Sequence, residues 1–266
     1  MIFDYIHTNG EKEEVTLSLE QEIDSKWVHI NTTNKLEFIK KFLPAYHSGQ
    51  KIVLFDPNHR LLLDFYQSNN INELEGIDEL DQDCQVLFFT SGSSGFPLGA
   101  FKTKQNLEKE IDVLKSLVAE YKIKRVVVTV PFVHIYGVLA GLLLPFYLGV
   151  RLIIKEDFLP YELLEEAKEE NTLVITTPVF IKSLSKLKSL QNMSSSLFIC
   201  STGPLQNQDV EGFENTFQSN IMQLFGSTET GGVAYKFHAS DIWKPLPGVK
   251  VSTCDGKLNI ESGFLS

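Results

Sequence analysis

The sequence predicts an α/β protein: a layered core on a mainly parallel sheet, followed by a small C-terminal antiparallel β element. Three observations carry this expectation. Short β-branched runs alternate with helical stretches, the pattern of parallel strands joined by right-handed crossovers. The runs are apolar throughout rather than alternating, as in strands buried on both faces. After about Gly231 the helical stretches cease, and short strands are punctuated by Pro-Gly and Asp-Gly turns.

Lys51–Phe55 reads as a strand closed by the turn signal Asp56-Pro57-Asn58, and Val86–Phe89 as a second, fully apolar strand. From Lys104 to Tyr121, Leu107, Ile111, Leu114, Leu117 and Val118 recur at helical spacing. Arg125–Val130 is the next strand, then a helix over Ile135–Leu148 and a strand at Arg151–Ile154. Pro160–Glu170 reads as a helix with a carboxylate-rich surface and Leu173–Thr176 as a strand, after which Pro178 opens a helix at its first turn. Leu197–Cys200 is a strand, Gln206–Phe217 a helix and Ile221–Phe225 a strand. Gly232–Tyr235, Val249–Val251 and Lys257–Ile260 are the short strands of the β element. This divides the chain into a short N-terminal α/β subregion (1–80), an α/β core (81–230) and the start of a small β subdomain (231–266), with a linker expected at Asn70–Asp83.

The bulk numbers narrow the function. The 266 residues fit one large domain or two small ones, and 43% apolar with 22% charged residues suits a soluble core. A net charge of −10 repels polyanions, which argues against nucleic acid and for a small-molecule ligand. No run approaches the ~18 apolar residues of a membrane span; Val138–Val150 is interrupted by Gly141, Pro145 and Gly149. Met1–Asp4 has no basic segment leading into an apolar one, and Cys84, Cys200 and Cys254 form no C-x-x-C pair. A cytoplasmic location is therefore expected, with neither disulfides nor a zinc site.

Three segments carry candidate chemistry. Thr90-Ser91-Gly92-Ser93-Ser94-Gly95-Phe96-Pro97 follows a buried strand and offers hydroxyls and unobstructed backbone N–H groups to anionic oxygens. It lacks the lysine of a Walker loop, and a flexible Ser/Gly linker is the alternative. In Leu224–Gly232, Glu229 is a hard oxygen ligand suited to Mg²⁺ and Thr228 a phosphate donor; a polar turn into a hairpin is the alternative. Pro131–Gly137 places His134 at the carboxyl end of a strand, where ligands collect in open α/β sheets, although a lone histidine beside apolar residues is more often a satisfied core histidine.

In order and spacing, the three together resemble the adenylate-forming superfamily of acyl-CoA synthetases, aryl-CoA ligases and nonribosomal adenylation domains. Thr90–Pro97 matches its phosphate loop, Pro131, His134 and Gly137 its P-x-x-H-x-x-G motif, and Phe225–Glu229 its [YF]-G-x-T-E motif. Ser201–Leu205 resembles its adenine-side loop, and Gly256–Ile260 a later strand motif. The resemblance implies an ATP-dependent acid–thiol ligase in which a carboxylic acid, fatty or aryl, is activated as an acyl-adenylate. The acyl group then passes to a thiol of CoA or an acyl carrier protein. It further implies that Thr90, Ser91, Gly92, Ser93, Ser94 and Gly95 hold the β- and γ-phosphates and that Thr228 contacts the α-phosphate. Glu229 would hold Mg²⁺, Phe225 and Gly226 with Gly203 and Pro204 would hold the adenine of ATP or AMP, and His134 would face the reacting carboxylate. His134, Val138, Thr202 and Gly226 are the expected lining of a mostly apolar acid pocket.

Two departures qualify these implications. Leu98 stands where the family has lysine, leaving Lys102 or Lys104 to supply the charge. The residues end before the family's ribose-binding aspartate and its mobile, lysine-bearing C-terminal domain. Slow adenylation, dependence on a separate C-terminal domain, or a role as a catalytically incomplete nucleotide- or acyl-binding module or scaffold subunit are the corresponding expectations.

Overall fold

The apolar runs become the central strands in the computed structural model, which describes residues 1–20, 27–58, 60, 64, 68, 83–90, 98–187 and 192–265. The expected linker at 70–83 lies, apart from Asp83, outside the described residues. The described strands are β1 (Ile2–Ile6), β2 (Lys12–Thr16), β3 (Val28–Ile30), β4 (Ile52–Leu54), β5 (Cys84–Thr90), β6 (Leu98–Thr103), β7 (Arg125–Val128) and β8 (Arg151–Ile154). They continue with β9 (Thr172–Thr176), β10 (Leu197–Cys200), β11 (Asn220–Ser227), β12 (Gly231–Lys236), β13 (Lys244–Pro245), β14 (Lys250–Cys254) and β15 (Lys257–Glu261). The helices are α1 (Lys35–His47), α2 (Lys104–Val118), a π-helix (Gly137–Leu143) running into α3 (Leu144–Leu148), α4 (Pro160–Ala167), α5 (Pro178–Leu184) and α6 (Asn207–Phe217).

Among the described residues the strands form three sheets. The large one runs β13-β12-β11-β10-β9-β7-β8-β1-β2, parallel from β11 to β1 with antiparallel edges. A smaller sheet runs β3-β4-β5-β6, and β14 and β15 form a separate hairpin. Side-chain alternation in β7 shows how the large sheet is covered. Val126 and Val128 point into a core shared with α1, α2, the π-helix and the small sheet, while Val127 points to the opposite layer with α4, α5 and α6. Continuous valine and isoleucine runs are what such two-sided burial requires.

Five strands were not anticipated from sequence: β1, β2, β3, β6 and the two-residue β13. β6 places an antiparallel strand between the Thr90–Pro97 segment and α2, pairing Thr90 with Leu98. β12 returns antiparallel on β11, so Gly231–Lys236 extends the large sheet. A buried lysine fastens the N-terminal region to this sheet. Lys35, at the start of α1, donates to the carbonyls of Lys155 at 2.7 Å and Glu156 at 3.0 Å beyond β8, and reaches the Val128 carbonyl at 3.4 Å at the end of β7. Burial lowers its pKa to about 8.

Candidate active site

The segments after β7, β10 and β11 meet at the carboxyl end of the parallel sheet, where crossover connections leave a crevice. After β7, the chain folds so that Gly137 rests on Pro131: a Cβ on Gly137 would lie 2.0 Å from the Pro131 carbonyl oxygen. That backbone contact explains why glycine follows the histidine at this spacing. The Tyr136 hydroxyl donates to the carbonyls of Ile199 (2.8 Å) and Thr176 (3.1 Å), fixing the segment over β9 and β10. Burial raises the pKa of this phenol, so it stays a neutral donor. His134 is left exposed at the rim, with Nε2 3.8 Å from an Asp56 carboxylate oxygen in the turn after β4.

After β10, Thr202 adopts φ +77°, an unusual conformation for a β-branched residue and a mark of local strain. The Ser201 hydroxyl donates to the Leu224 carbonyl at 3.0 Å, laying the 201–205 segment against β11. β11 then turns tightly into β12. A Cβ on Gly226 would fall 2.3 Å from the Gly231 carbonyl oxygen, at the register shift between Phe225 and Gly226. Ser227 and Thr230 close the turn reciprocally, the Ser227 N–H donating to Thr230 Oγ1 at 3.1 Å and the Thr230 N–H to Ser227 Oγ at 3.2 Å. Thr228 and exposed Glu229 form its tip.

Two cavities share the wall made by Ser201, Thr202, Leu224, Phe225 and Gly226. The larger, about 820 Å³, lies on the side of Gly203, Pro204, Lys236 and Trp243. Phe225 and Trp243 meet edge-to-face there with centroids 6.0 Å apart, and Lys236 Nζ lies 5.5 Å from the Trp243 ring centroid. The smaller, about 280 Å³, is lined by His134, Ile135, Leu139, Ala140, Thr228 and Glu110. The hairpin tip thus stands where the two cavities adjoin.

Two buried ionisable side chains, Lys102 and Glu110, support the hairpin from below. Lys102 of β6 donates to the carbonyls of Glu229 at 2.8 Å and Phe264 at 2.5 Å. Burial lowers its pKa to about 8, opposed by Glu110 and Glu229. Glu110 of α2 accepts the Gly232 N–H at 2.7 Å, and burial raises its pKa to about 7, opposed by that hydrogen bond and by Lys102. Lys104 instead sets its ammonium 5.5 Å from the Tyr46 ring centroid.

The structure therefore brings His134, Gly203, Pro204, Phe225, Gly226 and Thr228 to the walls of the two adjoining cavities, with Glu229 at the hairpin tip. Ser91, Gly92, Ser93, Ser94 and Gly95 lie outside the described residues, and of Thr90 only the strand position is described. Val138, expected in the acid pocket, is instead fully buried in the core. Glu110, Lys102, Lys236 and Trp243 were not singled out as site residues. One signal was available for Glu110: it falls among Leu107, Ile111 and Leu114 on the apolar face of a helix, where a carboxylate is costly. Among the described residues, no cluster of three or more His, Cys, Asp or Glu side chains has the geometry of a metal site, and no helix is long and apolar enough to cross a membrane.

The family model described as AMP-binding enzyme matches residues 28–260. The chain belongs to the AMP-binding enzyme family. Within this family it is 30% identical over 185 residues to a long-chain-fatty-acid–CoA ligase of Bacillus subtilis (strain 168), covering 66% of this chain and 32% of that protein. It is 27% identical over 162 residues to a 4-coumarate–CoA ligase of Halorhodospira halophila, covering 61% and 40% respectively. The chain thus spans 32–40% of the length of these AMP-binding relatives. The fold is that of the ATP-bound crystal structure of MatB from Rhodopseudomonas palustris, with a TM-score of 0.78 at 14% identity over 99% of this chain and 67% of that one. It is likewise that of O-succinylbenzoate coenzyme A synthetase (MenE) from Bacillus subtilis in complex with ATP and magnesium ion, with a TM-score of 0.74 at 17% identity over 90% and 61%.

Proposed function

We propose that this chain is the nucleotide- and acid-binding core of an ATP-dependent acid–thiol ligase. The paired cavities carry this reading: one large and aromatic-walled, one small and mostly apolar, with the Thr228–Glu229 hairpin tip where they adjoin. The relatives' names, a fatty-acid–CoA ligase and a coumarate–CoA ligase, point to the same chemistry. ATP would place its adenine in the larger cavity, between Gly203-Pro204 and Phe225, and the acid would enter the smaller one past His134. The carboxylate oxygen attacks the α-phosphorus, pyrophosphate leaves, and a thiol sulfur then attacks the acyl carbonyl and releases AMP.

Such an in-line displacement needs position and charge neutralisation rather than a protein nucleophile. Thr228 would donate to the α-phosphate, and the Thr90–Gly95 hydroxyls and amides would hold the β- and γ-phosphates. Mg²⁺ is typically held by one or two carboxylates together with substrate phosphates, a donor set that Glu229 fits. Bound there, it would neutralise charge on the phosphates. CoA or a carrier-protein arm, and a separate C-terminal domain, are the partners this reading requires, and the cytoplasm its setting.

Acid-dependent exchange of labelled pyrophosphate into ATP, run across fatty and aryl acids, tests the proposal. Exchange with at least one acid is expected. ATP binding without exchange for any acid overturns the enzyme reading in favour of a non-catalytic binding module. Glu229→Ala should remove the Mg²⁺-dependent part of ATP binding; an unchanged Mg²⁺ dependence refutes the metal assignment.

A further inference from the structure

The smaller cavity contains a carboxyl group that an all-apolar ligand would not use. Leu114, Ile135, Leu139 and Ala140 make its apolar walls, yet Glu110 lines it too, 6% exposed, on the apolar face of α2. Burying a carboxyl costs free energy unless its oxygens are satisfied. Only one of them is satisfied by backbone: Oε1 accepts the Gly232 N–H at 2.7 Å. No described residue donates a hydrogen bond to Oε2. The nearby ammonium of Lys102 directs its hydrogen bonds at the carbonyls of Glu229 and Phe264 instead.

The backbone opposite is shaped around this carboxyl group. A Cβ on Gly231 would come within 2.5 Å of Oε2, and one on Gly232 within 3.0 Å of Oε1. Two consecutive glycines thus leave the space Glu110 occupies beside the cavity. A purely structural pin for the Gly232 N–H would need one acceptor oxygen. A second oxygen without a donor among the described residues, in the wall of a ligand-sized cavity, is an acceptor available to a ligand.

We propose that Glu110 reads the far end of the acid: the pocket takes a compact carboxylic acid bearing a hydrogen-bond donor, a hydroxyl or an amino group, remote from the reacting carboxylate. The inference rests on the reading of the smaller cavity as the acid pocket. Its volume of about 280 Å³ lies at the low end of small-molecule sites, which favours a compact acid over a long acyl chain.

Calorimetric titration of the purified chain, with ATP and Mg²⁺ present, tests it with matched acids. One series is benzoate, 4-hydroxybenzoate and 4-aminobenzoate; the other is hexanoate, 6-hydroxyhexanoate and 6-aminohexanoate. In at least one series a donor-bearing acid should bind about tenfold more tightly than its parent, the effect of one hydrogen bond to a carboxyl group. The hydroxyl and amino arms show which donor is preferred. Glu110→Met should lower the affinity of the donor-bearing acid to that of its parent, with an unchanged far-ultraviolet circular dichroism spectrum and a cooperative urea transition as the control that the variant is folded. Equal binding within both series of the unmodified protein, or a preference that survives Glu110→Met, overturns the inference and leaves the acid-pocket reading standing. If ATP binds and no acid does, both are overturned. The comparison of acids on the unmodified protein needs no variant to fold.

Discussion

The ammonium of Lys102 holds the main-chain oxygen of Glu229 at 2.8 Å, joining β6 to the tip of the β11–β12 hairpin 127 residues away. It thereby positions Glu229 through the backbone. Lys102→Met removes a buried cation and leaves two carbonyls and Glu110 without their compensating charge. It should lower stability by about 3 kcal/mol, the usual effect of breaking a buried charge network. In the fraction that folds, Mg²⁺-dependent ATP binding should weaken more than Mg²⁺-free binding. Denaturant unfolding and ATP titration with and without Mg²⁺ read the two effects separately.

Gly226 tolerates no side chain. An added methyl group would meet the Gly231 oxygen at 2.3 Å and the Gly232 Cα at 2.9 Å, both rigid backbone. Gly226→Ala should therefore open the hairpin, lower stability by about 2–3 kcal/mol as overpacking does, and remove ATP binding. Full ATP affinity in a folded Gly226→Ala protein would contradict the placement of this hairpin in the nucleotide site.

Glu110 predicts a pH dependence of stability. Its pKa rises from 4.5 to about 7 in the folded protein, so folding takes up a proton between these values. The associated stability is complete below pH 4.5 and is lost as pH rises through about 7, by an amount on the order of 3 kcal/mol. Lys102, lowered from 10.5 to about 8, acts in a separate window: its contribution is present above pH 10.5 and lost as pH falls through about 8. Glu110→Gln should flatten the loss between pH 4.5 and 7 relative to the unmodified protein, as measured by urea midpoints across that range.

The aromatic wall predicts a binding effect without a folding effect. Phe225 is 51% exposed and Trp243 44% exposed, so neither contributes much to the core. Phe225→Ala should weaken ATP binding about tenfold through lost base stacking and change stability by less than about 0.5 kcal/mol. Equal ATP affinity in Phe225→Ala and the unmodified protein would remove adenine from the larger cavity.

Much of the fold was legible because burial on both faces leaves an unmistakable composition. Val126–Val128, Leu173–Ile175 and Leu197–Ile199 had no other reading. β2 was hidden because Lys12, Glu13 and Glu14 are exposed edge residues with no buried face, and β3 because three residues carry no period. β6 was obscured by Gly99 and by Lys102, which reads as a surface cation and is 1% exposed. Within the site, His134 and Phe225–Glu229 were legible because their constraints are local. Gly137 rests on Pro131 and Gly226 on Gly231, so the sequence spacing is the geometry. Glu110, Lys102 and Trp243 come from distant segments, and only tertiary packing brings them to the same place.

The parallel pairing of β1 with β8 also sets a schedule for synthesis. Ile2–Ile6 leaves the ribosome well before its neighbour Arg151–Ile154, which is nearly 150 residues later. At about 5–20 residues per second, this strand waits roughly 7–30 seconds for its partner. Throughout that delay the native neighbour already made is β2, whose Lys12, Glu13 and Glu14 make a charged outer edge that discourages association with other nascent chains.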